Sequence, residues 1–513
     1  MREIRVVKIA DIFQDRMMLQ RDKSIPIWGT AEPGAEISVT VCGSTWTGIA
    51  DAAGNWRVTF GPLPAGTGLE LMAVSGGERI VFTDVAVGEV FVAGGQSNME
   101  FLMRYEKHFA EERQQCNNDA VRFYDVPEVA YPGQDKDFDY SRVGVWRKAT
   151  TKDLDYFSAP GYYFAKRLHA ELGVPVGIIG LNWGGTRSSS WMTEEHARTI
   201  CPEQTAEFEA RLGGQSYEDF IREAGHNPLN DRGYSVWDPF SEFIMPNTPG
   251  QEEVGAFFGQ MMAAGVDITR FVELPDPKFY PGALYTHMVC RVAPYGVKGV
   301  LWYQGESDDE VDGSAVHYAA SLSALIADWR TDWQEELPFF IVQLPGFRSW
   351  LACVDKNYPL IRQAQQQVCD EDENAFLCSI SDLGEELDIH PKNKRDVGDR
   401  LALLALRHLY GKALEADAPV CREAVREGNT IILHFDHAGS GLTLRGDRIE
   451  ALSVRAADTE YPFSCSISGG ELILRLEQPC GAPLEIAFAQ GDWYCVNLYN
   501  SAGIPAIPFR LSC

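Results

Sequence analysis

The hydrophobic pattern changes texture twice along the 513 residues. In the first stretch, short runs at 25–29, 36–41 and 55–60 mix apolar and polar positions. They are separated by the turn-forming segments 32–34, 51–54 and 62–68, rich in Gly and Pro. Such runs between Gly and Pro turns predict short antiparallel strands. Residues 1–88 are therefore read as a small β-sandwich-like domain with a structural role. From about residue 89 the runs become continuously apolar, at 90–93, 174–180, 297–302, 338–344 and 375–380. Between them lie segments of helical texture, at 161–172, 318–329 and 362–368. Strand and helix in alternation predict a parallel sheet with helices on both faces, occupying residues 89–412. Residues from about 193 to 280 break this rhythm with charged helical pieces and with Pro-rich and aromatic stretches such as 234–240 and 274–281. They read as an insertion beside the site, shaping substrate access. From 413 to 513 the β-texture returns, at 430–435, 471–476 and 484–488, and predicts a C-terminal β-domain.

The α/β reading places candidate chemistry. In open α/β sheets, sites form beyond the carboxyl ends of the strands. Ser97, the loop 182–186, the loop 304–307 and His390 all fall just after predicted strands. Four polar, mostly glycine-bearing segments should therefore share one rim of the sheet.

Composition narrows the field. Lys and Arg number 45 against 73 Asp and Glu, a net charge of −28. Such a chain repels polyanions, which argues against nucleic acid and anionic membranes as partners. No apolar run of 18 residues occurs, so no transmembrane helix is expected. The first residues show neither an apolar signal core nor a cleavage site, so a cytoplasmic protein is expected unless a signal has been removed. The 12 cysteines include no Cys-x-x-Cys pair and are read as mostly reduced thiols, with no metal site. Neither a phosphate-binding Gly-x-x-x-x-Gly-Lys nor a strand-linked Gly-x-Gly-x-x-Gly is present, so no nucleotide cofactor is expected.

Ser97 follows Gly94-Gly95 and precedes a helical run from Met99. Taken alone, it reads better as a helix-capping serine. Read as a nucleophile, it needs a base and an acid that sets the base's tautomer. His390 is the candidate base: Pro391 keeps it off the following helix, which Gly411 closes. Asp388, two residues earlier, is the candidate acid, and on that reading Asp388→Asn lowers turnover strongly. Its bland alternative is a turn carboxylate. Oxyanion donors are sought in the backbone N–H of Ser97 or Asn98, in Gly184 and Gly185, and in the Gln304 carboxamide. Asn98, Glu306 and Arg187 are candidates for substrate binding or support, and Glu306 is a second candidate to hold His390. The surroundings of Ser97 are not the Gly-x-Ser-x-Gly elbow of the α/β-hydrolases.

These residues carry a resemblance. Gly95-Gln-Ser-Asn-Met-Glu100, Asn182-Trp-Gly-Gly-Thr186 with Trp191, Trp302-Tyr-Gln-Gly-Glu-Ser307 and Asp388-Ile-His-Pro-Lys-Asn-Lys394 with Val397-Gly398 and Arg400-Leu-Ala402 resemble the sialate O-acetylesterase family of the SGNH hydrolase superfamily. The likeness extends from Met18-Leu-Gln-Arg21 to Pro508-Phe-Arg510. It implies a flavodoxin-like three-layer parallel sheet flanked by the N-terminal and C-terminal β-domains. It also implies Ser97 as nucleophile, His390 as base, and Gly184 or Gly185 with Gln304 in the oxyanion hole. Many SGNH enzymes place the acid three residues before the histidine, where this chain has Leu387. Asp388, Asp382, Glu306 or no acid at all thus remain open as the group behind His390. The expected function is hydrolysis of O-acetyl esters of sialic acids. The alternative of the same chemistry is an acetylxylan or other polysaccharide deacetylase. The alternative of another class is a non-catalytic carbohydrate-binding protein.

Overall fold

A computed structural model describes residues 7–137, 143–224, 239–265, 275–351 and 353–513. Of the aromatic and Pro-rich stretches expected to mark the insertion, 234–238 and Leu274 lie outside the described residues, as do the first six residues.

The N-terminal strands are β1 (Lys8–Ile9), β2 (Met18–Gln20), β3 (Ile25–Thr30), β4 (Glu36–Val41), β5 (Ser44–Ile49), β6 (Asn55–Phe60) and β7 (Gly66–Ser75). Strands β1, β3 and β6 form one antiparallel sheet. Strands β5, β4 and β7 form a second, which continues into β8 (Glu78–Gly95). In β6 the side chains alternate between exposed and buried, with Trp56, Val58 and Phe60 inward, as a one-faced sheet requires.

β8 runs for 18 residues. Its first part pairs antiparallel with β7, and its last part becomes the centre of the α/β sheet. The other strands of that sheet are β9 (Asn118–Asp125), β10 (Trp146–Ala149), β11 (Val176–Asn182), β12 (Gly299–Tyr303) and β13 (Phe339–Val342). After the small hairpin β14 (Ser349–Trp350) and β15 (Cys353–Val354) comes the last, β16 (Ala375–Cys378). Their order is β10-β9-β11-β8-β12-β13-β16, parallel except at the β10–β9 edge. The expected parallel sheet is thus a mixed sheet, closed at one edge by an antiparallel strand. β8, β11 and β12 are apolar in succession because helices cover both faces.

Helices Ala159–Leu172 and Arg395–His408 pack together on one face. Phe91 of β8 meets Phe164 there with ring centroids 4.8 Å apart. Ser158 caps the first of these helices by accepting the Gly161 amide, Pro160 fits its first turn, and Gly173 ends it at φ 68°. On the other face lie helices Tyr318–Trp333 and Tyr358–Glu371. Trp302 of β12 meets Trp191 and Trp329 edge-on at 6.2 and 5.8 Å. One apolar core runs from Ile25 and Val39 through Val92 and Leu301 to Leu401. The C-terminal residues form two four-stranded antiparallel sheets with a core of their own around Ile431, Leu474 and Phe488. Among the described residues, no helix is long and apolar enough to cross a membrane.

Candidate active site

β8 ends in the pair Gly94-Gly95 because nothing larger fits. A Cβ at Gly94 would touch the Trp302 ring at 3.0 Å, and one at Gly95 would lie 2.1 Å from the Tyr303 carbonyl oxygen. Gly95 also has φ +135°, open only to glycine. The chain turns at Gln96 into the short helix Ser97–Glu100. Ser97 therefore stands at the carboxyl end of the central strand, between the ends of β11 and β12. The first amides of a helix have no intrahelical acceptor, so those of Ser97 and Asn98 are free of the helix ladder.

His390 arrives from the far edge of the sheet, after β16. Its Nε2 lies 2.9 Å from Ser97 Oγ. With a neutral ring, the serine hydroxyl donates to Nε2 and the ring proton sits at Nδ1. Both residues are buried, at 7% and 5% exposure. The Trp350 ring of β14 meets the imidazole edge-on, with centroids 5.2 Å apart. Burial pushes the His390 pKa down to about 3, against the nearby Asp388 charge, which raises it, while Lys392 and Lys394 lower it further. The ring is thus a neutral base throughout the ordinary pH range.

Asp388 lies beside the histidine, but its carboxylate is occupied elsewhere. Oδ1 accepts the His390 backbone N–H at 2.9 Å. Oδ2 accepts the Thr248 hydroxyl at 2.8 Å and pairs with Lys392 Nζ at 2.8 Å. His390 Nδ1 has no hydrogen-bond partner among the described residues. The expected acid–imidazole bond is therefore not formed: a carboxylate two residues before the ring closes on the backbone amide, a local turn bond. Asp382 is no substitute, since Arg400 grips both its oxygens at 2.7 and 2.9 Å. Glu306 is directed to Asn98, accepting its Nδ2–H at 2.6 Å.

The two expected donor loops differ from each other. Gly184 comes so close to Ser97 that a Cβ there would sit 3.3 Å from the serine Cβ. Its N–H, however, donates to Glu100 Oε2 at 2.6 Å. Gly185 makes the turn at φ +69°. Gln304 corrects the sequence reading more fully. It is completely buried, and its Nε2 donates to the Thr186 carbonyl at 3.1 Å and to Asp308 Oδ2 at 2.5 Å. Its Oε1 accepts the Tyr318 hydroxyl at 3.0 Å. A carboxamide whose donors and acceptor are all engaged in the interior braces the loops and offers nothing to a substrate. Arg187 likewise faces the insertion: it donates to Glu207 at 2.7 Å and lies over the Phe279 ring at 4.4 Å.

Asn98 is the link between the loops. Besides Glu306, its Nδ2 donates to the carbonyl of Ile389 at 2.9 Å, and its Oδ1 accepts from Lys394 Nζ at 2.5 Å. Sequence reasoning passed over Lys394, Trp350, Glu100 and Thr248. Lys394 belongs to the quoted histidine motif, but nothing in a sequence marks a lysine as buried. Trp350 and Thr248 sit in segments remote from every motif. The arrangement holds a serine hydroxyl on a neutral, water-shielded imidazole at a sheet rim, which is the equipment for nucleophilic attack on an ester.

Residues 259–407 match the family described as carbohydrate esterase, sialic acid-specific acetylesterase. The sialate O-acetylesterases of Homo sapiens and Mus musculus are each 24% identical to this chain, over 98% of it and 92% and 94% of their own lengths. The crystal structure of a carbohydrate acetylesterase from Xanthomonas citri is 30% identical, covers 99% of both chains and superposes with a TM-score of 0.75. With a relative of that identity matched from end to end, the chain belongs to the sialate O-acetylesterase family of carbohydrate esterases.

Proposed function

We propose that the protein is a carboxylic ester hydrolase that removes O-acetyl groups from sialic acids. The observation that carries this reading is the 2.9 Å contact between Ser97 Oγ and His390 Nε2 at the carboxyl end of the central strand. Ser97 attacks the acetyl carbonyl as His390 takes its proton. The oxyanion is held by the Ser97 backbone N–H, with the Gly184-Gly185 turn forming the opposite wall. His390 gives that proton to the departing sugar oxygen, then takes one from a water that attacks the acetyl carbonyl and passes it to the serine oxygen as acetate leaves. Asp388 acts on the ring as a nearby charge and through the backbone it anchors. No cofactor enters these steps.

The finer fold reading belongs to the same proposal. Omitting the β10–β9 edge, the sheet runs β11-β8-β12-β13-β16. In chain order that is 2-1-3-4-5, the flavodoxin-like order, with the ligand crevice at its switch point beside the first strand. An SGNH-type catalytic sheet flanked by β-domains fits it, with an O-acetylated sialic acid, free or in an oligosaccharide, as the substrate.

The test is hydrolysis of 4-nitrophenyl acetate by wild type and Ser97→Ala. The substitution is expected to cost at least about 10³-fold in kcat. Activity that survives it removes Ser97 as nucleophile. Acetate release from O-acetylated sialic acid, compared with acetylated xylo-oligosaccharide, then decides the sugar.

A further inference from the structure

Lys394 is completely buried, and the proposed chemistry does not use it. An ammonium ion in a protein interior is costly unless its hydrogens are met. Here Nζ donates to Asn98 Oδ1 at 2.5 Å and lies over the rings of Phe101 and Tyr303, 4.8 and 5.3 Å from their centroids. Its backbone N–H is accepted by Glu106 at 3.3 Å. Asn98 follows Ser97 directly, and its Nδ2 holds the carbonyl of Ile389, the residue before His390. A single carboxamide thus joins the serine turn, the histidine loop and Glu306. Its orientation is fixed by charge: ammonium only donates and carboxylate only accepts. Turning the amide over would set its NH₂ against the ammonium and its oxygen against Glu306 and the Ile389 carbonyl.

We propose that Lys394 is a positioning residue for the Ser97–His390 pair: as an ammonium ion it locks the Asn98 carboxamide, and through it the spacing of the serine and histidine loops. The inference rests on the esterase reading above. A neutral amine still offers an N–H to Asn98 Oδ1 but without the charge that strengthens the bond, so deprotonation loosens the lock while Glu306 and the Ile389 carbonyl still oppose turning the amide over. Burial lowers the Lys394 pKa to about 7, with Glu306, Asp388 and Glu385 raising it and Lys392 lowering it. The lock is therefore tightest below that pH and looser above it, giving kcat a falling alkaline limb. Ionisation of Glu306, whose carboxyl burial pushes up, strengthens the ammonium and acts in the opposite sense. His390, down at about 3, does not contribute to that limb.

The experiment is the kcat–pH profile for 4-nitrophenyl acetate in wild type, Glu306→Gln and Lys394→Met, with KM measured at each pH. Wild type is expected to lose turnover through one ionisation near neutrality. Glu306→Gln removes the charge that supports the ammonium and moves the limb to lower pH. Lys394→Met abolishes the limb and lowers kcat by about 10²-fold, the scale of a misplaced reacting group, with KM nearly constant. A flat wild-type profile, a limb unmoved in Glu306→Gln or a limb retained in Lys394→Met overturns the proposal. The first two comparisons stand even where Lys394→Met does not fold. Hydrolysis that persists in Ser97→Ala defeats the esterase reading itself; Ser97-dependent hydrolysis without the limb defeats the role of Lys394 alone.

Discussion

The His390 ring has one bonded nitrogen and one bare one. Its pKa, pressed to about 3 by burial, fixes the sign of its pH dependence. The unfolded chain binds the proton from about pH 6.5 downward while the native ring does not, so this residue subtracts stability as pH falls from that point toward 3. The His390 imidazole signal in NMR is expected not to titrate between about pH 5 and 8, unlike an exposed histidine. A midpoint near the usual histidine value would mean that the ring is solvated. The carboxylate geometry revises a second expectation. In a triad, Asp→Asn costs about 10⁴-fold by upsetting the tautomer. Here Asp388 holds a backbone N–H that an asparagine oxygen still accepts. Asp388→Asn is therefore expected to lower kcat by no more than about 10-fold, and a loss on the triad scale would restore the acid role. At this scale the sequence was informative about the residues just beyond each strand. Ser97 stands there, directly after β8, whereas His390 comes at the end of a long loop after β16; the two meet. Bonding partners were not legible: spacing of two residues does not say whether Asp388 faces the ring or the amide. The Gln304 side chain lies wholly inside although its motif reads like a donor loop.

Among the elements, the parallel strands and their helices were legible because buried strands read as unbroken apolar runs. Boundaries followed caps and turns less closely. The helix expected at 362–368 runs from Tyr358 to Glu371, and the one that follows His390 begins only at Arg395. That helix is held against Ala159–Leu172 by a close approach at Gly398, where a Cβ would lie 2.6 Å from both the Pro160 carbonyl oxygen and Tyr163 Cβ. Gly398→Ala must push the two helices apart, at an overpacking cost of about 1–3 kcal/mol. Urea unfolding is expected to show that loss together with reduced turnover, because the displaced helix carries Lys394 and the histidine loop at its start. A variant as stable as wild type would mean that the helices separate freely. The hairpin of β14 and β15 had no sequence signal, being only two residues to a strand, yet it brings Trp350 to the imidazole.

Across the whole molecule, the C-terminal sheets have a separate core, yet they touch the loop that leads to Trp350 through a buried arginine and a backbone bond. Arg362 donates to the Gly491 carbonyl at 2.8 Å and the Pro345 carbonyl at 3.3 Å, and lies over the Tyr494 ring at 5.1 Å. Phe347 N–H donates to the Asp492 carbonyl at 3.0 Å, three residues before Trp350. Arg362→Met leaves buried carbonyls unpaired, at about 1–3 kcal/mol. It is expected to lower both Tm and kcat, and a fall in Tm alone would show that the C-terminal sheets do not bear on the histidine. The β-texture of both ends was legible from turn chemistry, but how each end joins the centre was not. The boundary expected at 88/89 falls within β8, whose first half reads as a charged edge strand and whose second half reads as a core strand. That continuity has a consequence for exchange with solvent. Amide protons at 85–87 and at 91–93 belong to one uninterrupted backbone, so neither set can open without disturbing the ladder of the other. Deuterium should enter both with nearly the same opening free energy, as one cooperative unit. A circular permutant cut at residue 88 would sever the beam from which the serine projects, while a cut in the turn at 76–77 would leave it whole.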